Sequence, residues 1–276
     1  VKAVRKAART GRRGYLARAV LLAVDVGNTQ THFGAFDGAE LREHWRFQTR
    51  AGMTADELAE RISGLLALRG IELEAIDKLI VSSVVPPLGD QYRLLVERYL
   101  RDGEYLQVGP GIKTGMPIRV DNPYEVGADR LVNAVAAYDR FRRACVVVDF
   151  GTGINFDAVS ERGEYLGGAI APGLEISLSA LTERGARIPR IELARPEAAI
   201  GKSTSAAIQS GVVYGFAGLV DGIAERVAAE LGEEVPFIAT GGLAPAVVPF
   251  CQWIDETDDL LTLRGLRLIC ERNAGA

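Results

Sequence analysis

Leu21-Leu22-Ala23-Val24-Asp25-Val26-Gly27-Asn28-Thr29 decides how this chain is read. Its four leading apolar residues predict a buried strand, and Asp25 to Thr31 is polar and turn-like. His32 to Phe36 resumes a strand pattern before Asp37-Gly38, a hairpin signal. The unit recurs 124 residues later, from Asp25 to Asp149. Cys145-Val146-Val147-Val148 runs into Asp149-Phe150-Gly151-Thr152-Gly153, and strand pattern returns from Asn155 to Val159. An apolar strand, Asp-x-Gly, a polar turn and a second strand, used twice, predict a duplicated domain with a cleft between its halves.

The intervening segments supply helices. Thr54 to Leu68 places Leu58, Ile62, Leu65 and Leu66 on one face, with Thr54 and Glu57 as a capping box. Leu79 to Val85 predicts a strand stopped by Pro86-Pro87, and Asp90 to Leu100 a helix. Ser203 to Leu231 carries an apolar stripe through Ile208, Val212, Phe216, Leu219, Ile223, Val227 and Leu231. Gly211, Gly215, Gly218 and Gly222 either break this helix or let another helix approach it closely. Val235 to Ala239 is a short strand leading into Thr240-Gly241-Gly242. Interleaved strands and helices indicate an α/β fold.

Composition narrows the class. With 276 residues, 48% hydrophobic and 25% charged, the chain has ordinary globular composition. No uninterrupted apolar run reaches the roughly 18 residues of a spanning helix. Lys2, Arg5, Lys6, Arg9, Arg12, Arg13 and Arg18 make the first 20 residues basic; without those seven, 25 basic residues face 36 acidic ones. An acidic body argues against nucleic acid as a partner, and the basic segment reads as a disordered arm, a targeting segment, or upstream sequence translated from an early start. Cys145, Cys251 and Cys270 have neither zinc nor disulfide spacing, and His32 and His44 are the only histidines. Unpaired thiols suit a reducing cytoplasm.

The loops suggest phosphate chemistry. Gly27 permits close backbone approach to an anion, while Asn28, Thr29 and Thr31 add donors. Asp25 would repel phosphate directly, so its role there is to hold Mg²⁺ through water. Gly151, Thr152 and Gly153 form a second cradle, with Asp149 as a hard oxygen ligand for a cation. Gly241 and Gly242 could let adenosine lie against backbone. Each loop alone is also an ordinary turn. Asp129 sits near the start of a helix containing Leu131, Val132, Val135 and Tyr138. It is either a first-turn acid or a general base for a substrate hydroxyl. Arg130 is either an anion clamp or a surface arginine. No G-x-x-x-x-G-K-[ST] loop and no G-x-S-x-G elbow is present; Gly201-Lys202-Ser203 reads as a loop with Ser203 as helix N-cap.

Taken in order, Asp25-Val26-Gly27-Asn28-Thr29, Gly127-Ala128-Asp129-Arg130, Asp149-Phe150-Gly151-Thr152, Gly167 to Gly173, Gly201-Lys202-Ser203-Thr204 and Thr240-Gly241-Gly242-Leu243 resemble the motifs of type III pantothenate kinases. The resemblance spans about Leu21 to Asn273. It implies two ribonuclease-H-like, actin-like ATPase halves, 21–141 and 142–276, preceded by the 1–20 extension, with ATP in the cleft. It implies phosphorylation of the primary hydroxyl of pantothenate, the first step towards coenzyme A, by a cytoplasmic homodimer with no membrane partner. By the same resemblance Asp129 is the catalytic base, and Gly127, Ala128, Asp129, Arg130 and Thr204 contact pantothenate. Asp25, Val26, Gly27, Asn28, Thr29, Gln30, Thr31 and His32 match the first ATP loop, and Thr152 the second. Asp149 matches the ligand of an activating monovalent cation, K⁺ or NH₄⁺.

One three-residue stretch and one single position depart from the pattern. Gly153-Ile154-Asn155 replaces a hydroxyl-bearing Ala-Thr-Thr, and Val120 replaces a substrate-contacting tyrosine. The motifs also leave room for a related kinase with another small hydroxylated substrate, or for a non-enzymatic regulator on the same fold.

Overall fold

The computed structural model describes residues 20–100, 103–184, 191, 193–232 and 234–274. The basic extension therefore lies outside the described residues, except Val20.

Strands β1 (Val20–Val26), β2 (Gln30–Asp37) and β3 (Glu40–Gln48) form an antiparallel meander. β4 (Ile76–Ser83) joins β1 in parallel, and β5 (Glu104–Gln107) joins β4 in parallel. The order is β3-β2-β1-β4-β5. The second sheet takes β6 (Cys145–Phe150), β7 (Gly153–Val159), β8 (Tyr165–Pro172), β9 (Phe237–Thr240) and β10 (Glu256–Thr257) in the order β10-β9-β6-β7-β8. Its pairings repeat those of the first, antiparallel through β6, β7 and β8 and parallel through β6, β9 and β10. Both sheets have the ribonuclease-H-like order, so the duplicated hairpins do mark a duplicated fold.

Three helical layers surround the sheets. Helices α1 (Ala55–Ala67) and α2 (Pro86–Tyr99) pack on the outer face of the first sheet. Thr54 caps α1 as expected: its hydroxyl accepts from the Glu57 N–H, and the Glu57 carboxylate accepts from the Thr54 N–H at 2.8 Å. Pro86 and Pro87 do not themselves stop β4, which already ends at Ser83. They occupy the first turn of α2, where a missing N–H costs no hydrogen bond. The helix therefore starts four residues before Asp90.

The central layer holds α3 (Ala128–Phe141) and α7 (Leu261–Asn273). Leu131 to Ala137 of α3 are all buried, because this helix has protein on nearly every side. Gly265 lets α7 cross it tightly: a Cβ there would lie 2.2 Å from the Val132 carbonyl oxygen. Although α7 follows the second sheet in sequence, it packs on β1, β2 and β4 of the first.

Strand alternation then places the acids. In β1, Leu22, Val24 and Val26 enter the outer core, whereas Leu21 and Ala23 face the central layer. Asp25 continues the second set. In β6, Val146, Val148 and Phe150 enter the opposite outer core, whereas Cys145 and Val147 face the central layer. Asp149 continues that set. Period two thus turns both aspartates towards α3.

On the second sheet's outer face lie α5 (Thr204–Leu231) and the short α6 (Ala244–Val247); α4 (Leu174–Arg184) packs beside α5. Ser203 is the N-cap of α5, its hydroxyl accepting from the Ala206 N–H at 3.2 Å. The glycines do not break this helix. Its buried positions are Ser210, Val213, Ala217, Val220, Ala224 and Ala228, mostly small residues that let the helix lie close to the sheet. The apolar stripe from Ile208 to Leu231 lies half-buried on the flank. Among the described residues α5 is also long and apolar enough to cross a membrane, by length and composition.

Candidate active site

A cavity of about 560 Å³ opens between the two sheets. The three polar loops form its walls. Asp25, Gly27, Asn28, Thr29, Gln30 and His32 line one side. Asp149, Gly151 and Thr152 line the other, with Gly241 and Gly242 beside them. Asp129, in the first turn of α3, completes the set. Gly241 has φ +96°, and a Cβ there would sit 2.6 Å from the Phe150 carbonyl oxygen and 2.7 Å from Asp149 Oδ1. Only glycine allows the second and third loops to meet so closely.

The site concentrates acidic groups, with Arg46 as the one lysine or arginine among its described lining residues. Burial pushes Asp25 up to about 8, and the charges of Asp129 and Asp149 add to that rise. Asp149 is pushed up to about 7, again by burial first and then by Asp129 and Asp157. Among the described residues no lysine or arginine forms an ion pair with Asp25, Asp129 or Asp149. Such a cluster is short of cations. No three His, Cys, Asp or Glu among the described residues stand close enough to hold one metal ion directly. The donor set therefore suits a hydrated ion bridging to a ligand rather than a protein cage. Burial, Arg46 and His44 together lower His32 to about 3, so its imidazole is neutral at physiological pH.

Several residues singled out in the sequence stand outside the lining. Val26 is fully buried in the outer core. Thr31 is also buried, its hydroxyl 2.9 Å from that of Thr49. Gly127 is the N-cap of α3; a Cβ on it would lie 2.5 Å from Asp129 Oδ1, so it makes room for that carboxylate. Ala128 begins α3. Arg130 donates from Nε to Asp157 Oδ1 at 2.8 Å, and Tyr165 donates to the same oxygen at 2.7 Å. Withdrawing Arg130 would leave a buried carboxylate unpaired, which is strongly destabilising. Thr204 is exposed at the start of α5.

Other contributors were not visible in the motifs. Asn133 is fully buried on α3 and donates from Nδ2 to Asp149 Oδ2 at 3.1 Å. Its Oδ1 accepts from the Thr262 hydroxyl of α7 at 2.8 Å. An asparagine between Leu131-Val132 and Ala134-Val135 is an available signal, since buried polar side chains need partners. Arg46, Asn155, Glu175, Asp259 and Thr262 also line the cavity. Asn155 follows the second loop directly on β7, whereas Arg46 of β3, Glu175 of α4, Asp259 of the turn before α7 and Thr262 of α7 lie outside the loop motifs.

The sequence profile of type III pantothenate kinases matches residues 21–226. The chain belongs to that family. Type III pantothenate kinases from Anaeromyxobacter sp. (strain K) and Streptomyces avermitilis are 51% identical over 254 residues and 54% identical over 261 residues. Each alignment covers 92% of this chain, with 100% and 98% of the respective relative. A solved structure described as a conserved putative Baf family transcriptional activator from Campylobacter jejuni superimposes with a TM-score of 0.58 at 19% identity. It covers 92% of this chain and 100% of that one, and the likeness concerns the fold. Family membership and the two-sheet cleft together make this a phosphotransferase of the pantothenate kinase type.

Proposed function

We propose that this kinase transfers the γ-phosphoryl group of ATP to the primary hydroxyl of pantothenate, giving 4′-phosphopantothenate for coenzyme A synthesis. The observation that carries this reading is the meeting of Asp129 with Asp25 and Asp149 at one cavity between two glycine-lined loops. One oxygen of Asp129 accepts the Arg130 N–H at 2.9 Å, which fixes the carboxylate. Its other oxygen takes the proton of the substrate hydroxyl. The hydroxyl oxygen bonds to the γ-phosphorus as the bond to the bridging oxygen breaks, and ADP leaves with that electron pair. Backbone N–H groups around Gly27 and Gly151 hold the phosphates in line. Asp25 would hold Mg²⁺ through water and Asp149 a monovalent cation, K⁺ or NH₄⁺. These cations, when bound, would offset the charge of the triphosphate.

Purified protein with ATP, Mg²⁺, K⁺ and pantothenate is expected to release ADP and form 4′-phosphopantothenate in a coupled assay with mass analysis. Omitting K⁺ should slow it. Turnover with a sugar or another acid but not pantothenate would move the substrate assignment within the superfamily. No turnover with any acceptor would favour a regulatory role.

The same reading places the halves at 21–141 and 142–276, each supplying one sheet, and the enzyme in the cytoplasm, in keeping with its free cysteines. It also makes the protein a homodimer through α5. Gly211, Gly215 and Gly218 have no atom within 4 Å of an added Cβ, so nothing in the described chain requires glycine there. Each helical glycine costs about 1 kcal/mol relative to alanine. Beside them Ile208, Val212, Phe216 and Leu219 line an apolar groove with Leu181 of α4. A twofold-related copy of α5 would bury both features at once. Sedimentation equilibrium should give twice the 29.6 kDa chain mass, and Gly215→Arg should return it to the monomer. A wild-type monomer at micromolar concentration would refute the dimer.

A further inference from the structure

The cavity has an electrostatic problem. Asp25, Asp129, Asp149, Glu175 and Asp259 all line it, yet its ligand under the proposed function is a triphosphate. Among the described lining residues Arg46 is the one lysine or arginine. It is carried by β3, the third strand of the first sheet. On that strand Trp45 and Phe47 pack against the outer core with α1 and α2. Alternation therefore turns Arg46 to the opposite face, towards the cleft. Its register partner on β2 is His32, another residue of the cavity wall.

The guanidinium crosses from one half to the other. One terminal nitrogen donates to the Asp259 carbonyl oxygen at 3.3 Å, beyond the second sheet. The other lies 3.9 Å from where a Gly242 side chain would begin. Arg46 thus reaches over the mouth of the cleft to the third glycine loop. The Asp259 carbonyl is its one hydrogen-bond partner among the described residues, and the side chain is exposed. Most of its five N–H donors are free for an incoming ligand. Its charge also favours the Asp25 carboxylate and helps to keep His32 neutral.

We propose that Arg46 is a phosphate clamp that binds the terminal phosphates of ATP and ties the two halves together when the nucleotide is in place. The proposal rests on the reading of this site as an ATP site. A planar guanidinium matches two phosphate oxygens at once, and such charge-assisted pairs are among the stronger hydrogen bonds. Mg²⁺ neutralises only part of a triphosphate. An arginine opposite the cation would hold the remaining charge in a cleft otherwise walled by carboxylates. Lysine would keep the charge and lose the two-point geometry.

The test is equilibrium binding by calorimetry, with Mg²⁺ and without acceptor, for wild type, Arg46→Met and Arg46→Lys. Each protein is titrated separately with ATP and with AMP. We expect Arg46→Met to weaken ATP binding about tenfold or more, the size expected for a hydrogen bond between charged groups. AMP binding should stay within about twofold, because AMP lacks the β- and γ-phosphates. Arg46→Lys should fall between wild type and Arg46→Met for ATP. Equal loss for ATP and AMP would mean that Arg46 supports the fold of the cavity, and the clamp would be wrong. Unchanged ATP binding in Arg46→Met would also overturn it. Pantothenate turnover by wild type is measured in parallel. Wild type that binds ATP but leaves pantothenate untouched would sink the substrate assignment and leave the clamp standing.

Discussion

Asp129→Asn is expected to lower pantothenate turnover by about 10²- to 10⁴-fold, the usual contribution of a positioned general base. The substitution removes proton affinity and little else. Asp129 Oδ1 accepts the N–H of the next residue, and an amide oxygen can take over that bond. The side chain is half-buried at the cavity wall, so no core is disturbed. Losing a negative charge at the N-terminus of α3 costs about 0.3–1 kcal/mol. Against that, the Asp129 charge raises both Asp25 and Asp149, so its removal relieves repulsion. Thermal unfolding should therefore change little while kcat collapses and the KM for ATP holds. Turnover within a few fold of wild type would take Asp129 out of the base role.

Asp149→Asn is expected to do two things that seldom go together: abolish catalysis and stabilise the cation-free fold at alkaline pH. The sign follows from proton linkage. Folding raises Asp149 from its ordinary value near 4 to about 7. Between those values the native state holds a proton that the unfolded chain has released, so stability falls as pH rises through that window. Above pH 7 the wild-type protein carries a buried charge that the fold disfavours. Asparagine carries none, and its amide oxygen can still accept from Asn133 Nδ2.

Urea denaturation without added cations should then show the variant more stable than wild type at pH 8, by on the order of 1 kcal/mol. At pH 4, where wild-type Asp149 is protonated in the native state, the advantage should vanish. Adding K⁺ should stabilise wild type at pH 8 by binding the native state, and should do little for the variant. Turnover should drop at least about a hundredfold, since the cation that Asp149 would hold against the triphosphate is lost. A variant less stable than wild type at pH 8 would mean that Asp149 holds the cleft together as a hydrogen-bonding post, and the cation role would lose its main support.

The motifs point to loops that do meet at one cavity, because turn-forming residues act locally. Gly27 and Gly151 read as phosphate turns, and Gly241 and Gly242 as a seat for adenosine, since a backbone that must come close to a ligand leaves little room for a Cβ. The duplication was legible because the same strand-turn-strand pattern returns at Asp149. Thr54 and Ser203 announced their helix starts through cap chemistry confined to one turn. Helix α5 shows where such reading ends. Its most hydrophobic stripe is conspicuous in sequence, yet the sheet selects the face of small residues, because close packing rewards shape as well as hydrophobicity. Arg130 is another case. An arginine beside Asp129 suggests an anion clamp, but whether it is free depends on Asp157, a residue of β7 far along the chain.

The amino-acid order alone was sufficient to set out two nucleotide-type hairpins, their glycine turns and the acids at their strand ends, because turn geometry and strand alternation act over only a few residues. Bringing Asp25, Asp129 and Asp149 to one cavity required the fold: both sheets must present their inner faces to α3, and α7 must return across the chain to lock that layer through Gly265. Arg46, Asn133 and Thr262 join the site for the same reason. Their partners lie on other elements, and a contact between elements has no signature in the local run of residues on either side.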